Sequence, residues 1–153
     1  MSRFEQLQAA YKEATGANHR YWTQMHQTLR GLQSDFSAFL GVDPAMQVQL
    51  NGAGTPVVSI GSYDDKNQFL NWSIEKLPRN DRAIQFALRI TFGESVQSVP
   101  APTYVIHLQI AGLGEDLFAI TVQGLDETEF KGPVFNEFFE DVFQRAMRAL
   151  GKQ

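Results

Sequence analysis

Three histidines, His19, His26 and His107, are the first residues of this chain that could do chemistry. Imidazole carries protons near neutral pH and is a common metal ligand. Their spacing disfavours a metal. His19 and His26 stand seven residues apart, which on one helix is two turns, or roughly 10.5 Å along the axis. Metal–nitrogen bonds of about 2.1 Å cannot close that distance. The positions four residues on are Thr23 and Arg30, neither a zinc ligand. No metal and no other cofactor is expected.

Nucleophilic catalysis has no setting either. The chain has no Cys, and none of its serines sits in a Gly-x-Ser-x-Gly elbow. Ser59-Ile60-Gly61-Ser62 and Asn51-Gly52-Ala53-Gly54 are rich in small residues but lack the strand–turn–helix context of a phosphate loop. Carboxylates cluster at Asp64-Asp65, at Glu115-Asp116, and at Asp126-Glu127 with Glu129, all in turn-like sequence where Asp bonds its own backbone. No catalytic residue is assigned. Lys76, Arg79 and Arg82 form a basic cluster that could receive a phosphate or an acidic partner, or simply be a solvated turn.

The less ordinary chemistry lies in an alternation. Ile84, Phe86, Leu88 and Ile90 alternate with Gln85, Ala87, Arg89 and Thr91, while Tyr104, Ile106, Leu108 and Ile110 alternate with Val105, His107 and Gln109. Period two marks antiparallel strands with one face buried and one wet. The polar half is rich in amides and hydroxyls: Gln47, Gln49, Ser59, Asn71, Ser73, Thr103, Thr121 and Gln123 belong to it as well. Lys and Glu, the usual solvated choices, are scarce there. Glu75, Arg89 and His107 are its titratable groups. With Gln109 they form the candidate face for a ligand or partner.

The elements that must position these groups define an α+β domain over 1–153. Residues 3–40 read as helical, because Phe4, Leu7, Tyr11 and Ala14, then Trp22, Met25, Leu29, Leu32, Phe36 and Phe39, recur every three or four positions. Gly16 and Asn18 mark a point where the helix runs on or breaks. The sheet, over 46–125, is an antiparallel meander of five to six strands at 46–51, 56–63, 67–77, 83–92, 102–111 and 117–125. The longer connection from Gly93 to Pro102 is a crossing loop or a flap. A second amphipathic helix occupies 133–150, with Pro133 in its first turn. Both helices cover one face of the sheet, an α–β6–α order.

Size then raises a question of partners. A continuous helix of 38 residues is about 57 Å long. A ten-residue strand spans about 33 Å and six strands about 29 Å, so such a helix overhangs its sheet. The overhanging stripe needs a partner, most simply a second copy, and Trp22, Met25, Leu29 and Leu32 are the expected self-association residues. A net charge of −4 argues against nucleic acid. No apolar run reaches membrane-spanning length and the N-terminus has no signal-peptide core, so a cytoplasmic setting is expected. The resulting expectation is a non-enzymatic interaction module, adaptor, chaperone-like or inhibitor-like, that binds a partner protein and forms a homodimer. The alternative is a small-molecule binder or enzyme with a pocket between the sheet and the N-terminal helix, lined by Tyr21, Trp22, Trp72 and Tyr104.

Overall fold

The computed structural model describes residues 2–95, 97, 101–114, 117–124 and 128–151. The first helix, α1 (Arg3–Phe39), is unbroken over 37 residues, about 56 Å. Gly16 does not interrupt it, since one interior Gly costs only about 1 kcal/mol against Ala. Ser2 starts it, its Oγ accepting from the Glu5 backbone N–H at 3.1 Å. Gly41, at φ 81°, ends it, donating to the Ala38 carbonyl at 3.0 Å.

Among the described residues, nine strands follow before the last helix. β1 (Gln47–Leu50) and β2 (Ala53–Pro56) form a separate two-stranded hairpin. Asn51 and Gly52, at φ 54° and 81°, supply the paired positive angles of its tight turn. Residues 46–51 therefore pair with β2 and not with the main sheet, apart from one parallel bridge between Leu50 and Glu94.

The main sheet is antiparallel and seven-stranded. Its order is β4 (Phe69–Leu70), β3 (Val58–Tyr63), β6 (Ala83–Thr91), β7 (Thr103–Gly114), β8 (Leu117–Val122) and β9 (Glu129–Gly132), with β5 (Arg79–Asn80) pairing β6 off this path. The register Val58↔Ile90↔Tyr104 and Ile60↔Leu88↔Ile106 stacks the apolar alternates on one face. The closing helix, α2 (Asn136–Gly151), starts three residues after Pro133 rather than at it.

Besides β2 and β5, which form where turns were expected, two stretches differ from the sequence-based expectation. Residues 67–77 are not one strand: after Leu70, the Trp72 N–H turns back to the Leu70 carbonyl, and a 3-10 turn at Ile74–Lys76 takes the chain inward to buried Leu77. β9 is an added strand in sequence that reads as an acidic turn, and it pairs Phe130 with Ile120. Of the expected acidic turns, Glu115-Asp116 and Asp126-Glu127 lie outside the described residues, as do Ser98 to Pro100 of the longer connection.

The core is a single cluster. Trp22, Met25, Leu29, Leu32 and Phe36 of α1 and Phe138, Phe139 and Val142 of α2 pack with Ile84, Phe86, Leu88, Leu108, Ile110 and Ile120. Phe36 and Phe139, 5.2 Å between ring centroids, join the two helices. The helices thus cover one face, leaving the polar alternates on the other. Among the described residues no helix is long and apolar enough to cross a membrane.

Candidate functional site

The helix α1 divides at Tyr21 and Trp22. C-terminal to them, its apolar stripe is spent on the sheet: Trp22, Met25, Leu29 and Leu32 are buried to 8% exposure or less within one chain. These four residues, expected to pair with a second copy, are instead core, because the helix crosses its own sheet along that half. N-terminal to them, Phe4, Leu7 and Tyr11 remain 61%, 71% and 75% exposed. Residues 3–17 extend about 22 Å beyond the body at 1.5 Å per residue.

A collar of ring and guanidinium contacts holds the helix where it leaves the body. Arg79 lies over the Trp22 ring at 4.1 Å and Arg82 over the Tyr21 ring at 3.7 Å. Arg82 Nη1 donates to Asn18 Oδ1 at 3.0 Å. The Tyr21 hydroxyl donates to the Arg82 carbonyl and accepts from the Gly112 N–H at 3.0 Å. Gly112 is required here, since a Cβ would stand 2.7 Å from the Tyr21 ring. The Arg79 and Arg82 side chains of the basic cluster are thereby engaged in holding α1. His26, one turn further in, has its pKa lowered by burial and then by Arg79 and Arg30.

The polar face is assembled from fewer residues than expected. Glu75 is absent from it: the 3-10 turn carries it to α1, where it pairs with Arg30. Asn71 and Ser73 lie outside the strands, while Gln47 and Gln49 belong to the separate hairpin. The three other candidates do share the face. Arg89 sits between Ser59 and Val105, His107 opposite Ala87, and Gln109 between Gln85 and Thr121. Arg89 and His107 are therefore diagonal neighbours.

Part of this face is covered by aromatic side chains from the β3–β4 hairpin, which sequence spacing did not reveal. Tyr63 stacks on His107 at 4.0 Å, and Arg89 lies over Phe69 at 4.2 Å. Gly61 makes room, because a Cβ there would stand 2.7 Å from the Phe69 ring. Burial lowers the His107 pKa, with the Asn67 backbone opposing the shift. Burial also lowers that of Arg89.

The space between sheet and α1, expected as a possible pocket, is filled by core side chains. Of its expected aromatic lining, Trp22 is core, Tyr21 is in the collar, and Trp72 is 44% exposed. An apolar crevice of about 330 Å³ lies instead beside the C-terminal half of α2, between Val42, Val48, Phe92, Phe143 and Met147.

Fold and surface together define an α+β domain with a free helical arm. The chain finds no match among protein-family models, curated proteins or solved structures.

Proposed function

We propose that the protein is a non-enzymatic protein-interaction module whose docking element is the free arm of α1, and that it self-associates by pairing that arm with the same segment of a second copy. One observation carries this: Phe4, Leu7 and Tyr11 form a continuous apolar stripe on a helix clear of its own core. Three such side chains leave roughly 400 Å² of each copy exposed, at the 150–250 Å² that a large aromatic buries. Two arms, with the stems of Gln8 and Lys12 and the Thr15 methyl added, approach the roughly 1,200 Å² of a stable interface. Ala10, Ala14 and Ala17 flank the stripe and let two backbones come close. Antiparallel pairing opposes the helix dipoles and sets the two bodies at opposite ends.

Light scattering of the purified protein tests it. A dimer is expected, and Leu7→Glu with Tyr11→Glu should give a monomer of unchanged circular dichroism. A strictly monomeric parent protein sinks the self-association. A second function is favoured by the crevice beside α2, whose volume lies at the low end for small-molecule sites. A metabolite that raises Tm in the parent protein but not in Met147→Glu would support it.

A further inference from the structure

We propose that Arg89 and Thr91 bind a carboxylate on the outer face of the sheet, beside the Phe69 ring. Among the described residues, two buried side-chain polar atoms lack a hydrogen-bond partner: Arg89 Nε and Thr91 Oγ1. Such orphans are rare in folded proteins, and each calls for an explanation. These two are not scattered. They stand two residues apart on β6, so both project to the same face of the sheet. Thr91 is only 1% exposed.

The surroundings select an anion. No carboxylate pairs with Arg89 among the described residues, whose ion pairs are Arg30–Glu75, Lys131–Glu129 and Arg145–Asp141. Phe69 occupies one flat face of the guanidinium, and Gly61 lets that ring lie close. The Nε edge is covered as the structure stands, and its unpaired N–H is the group a planar acceptor would satisfy once the ring moves. One carboxylate oxygen would accept from Nε–H and the other from the Thr91 hydroxyl. A single cation beside a neutral hydroxyl suits a monoanion, whereas a phosphate dianion would recruit further cations. The Phe69 ring, on a strand of two residues, is the group that shifts to admit the ligand.

The carboxylate can come from a small molecule or from an acidic side chain of a peptide. The site lies on the face opposite α1, so its test is independent of the arm and of the dimer. Labelled protein is titrated at constant ionic strength with sodium acetate and with a capped glutamate peptide, observing the Arg89 Nε–H and Phe69 ring resonances. Both are expected to move together and saturate. Thr91→Val should weaken acetate binding about fivefold, the equivalent of one hydrogen bond of about 1 kcal/mol. Tighter binding of the peptide than of acetate identifies a peptide source; equal binding identifies a small carboxylate. Arg89→Lys removes Nε and should abolish the movement of the Phe69 ring resonances. Should that variant not fold, Thr91→Val still decides. No saturable movement of the Arg89 Nε–H, or the same affinity in Thr91→Val, overturns the proposal.

Discussion

The two halves of α1 carry the same spacing of apolar residues and meet opposite surroundings. From Trp22 to Phe36 the stripe is buried in the core; from Phe4 to Tyr11 it faces solvent. Periodicity therefore reports which side chains share a stripe and says nothing of what covers it. Coverage is decided by the reach of the sheet and by the collar at Tyr21, Trp22, Arg79 and Arg82. Where the sheet ends, the same pattern changes from core to surface.

Matched leucines separate the two halves of α1 most. Leu29→Ala removes a fully buried side chain and is expected to cost about 2–5 kcal/mol in urea denaturation. Leu7→Ala should stay within about 0.5 kcal/mol in a monomeric background, as an exposed site does. For the proposed dimer the sizes should reverse in the dissociation constant, where only Leu7→Ala acts through lost contact. Comparable costs to folding at both positions would mean that the arm is packed.

The boundary itself comes next. Gly112→Ala places a methyl against the Tyr21 ring and should cost about 1–3 kcal/mol, the usual penalty for overpacking. The collar reading adds a more specific readout: hydrogen exchange at the amides of Asn18 to Trp22 should accelerate more than at Leu29. Uniform acceleration along α1 would move the boundary away from Tyr21.

Much of the architecture was legible because its signals are local. The alternation of β6 and β7 and the three-and-four spacing of α1 and α2 need no tertiary information, and the Asn51-Gly52 turn carries its own conformational demand. The stretch 67–77 misled because Phe69, Leu70, Trp72, Ile74 and Leu77 mimic strand spacing while Ser73 and Pro78 permit a turn. That error carried Glu75 to the wrong place. β9 was hidden because Glu129 and Lys131 flank a single Phe, and its strand character comes from the open edge of β8. Arg89, His107 and Gln109 were correctly placed on one face by parity alone. The cover over them was not legible: Phe69 on Arg89 and Tyr63 on His107 depend on how the β3–β4 hairpin curls.

A gentler probe of the packed half uses pH. The His26 pKa is lowered from 6.5 by burial first, then by Arg79 and Arg30. The unfolded chain therefore takes up the proton more readily than the folded one. Stability from this source is fully present above about pH 6.5 and falls as pH drops toward the lowered folded value. His107, lowered mainly by burial, acts in the same direction. Denaturation midpoints at about pH 7.5 and about pH 5 should differ less in His26→Gln than in the parent protein. An unchanged difference would take the pH dependence away from His26 and leave His107 as its source.

The smallest effect belongs to the arm alone. Gly16 is the last interior glycine before the collar, and its Cβ would meet only the end of the Arg20 side chain at 3.4 Å. Gly16→Ala should therefore favour the helix by about 0.5–1 kcal/mol without a steric penalty. If the arm frays independently of the body, that gain appears as slower exchange at amides 6–16 and leaves the global denaturation midpoint where it was. In the proposed dimer the same substitution should tighten association, since less conformational entropy is lost when two ordered arms pair. A rise in global stability of the monomer equal to the local gain would show that arm and body unfold as one unit. The arm would then be a rigid extension of the core helix, and the collar would mark a change of surroundings without a change of stability.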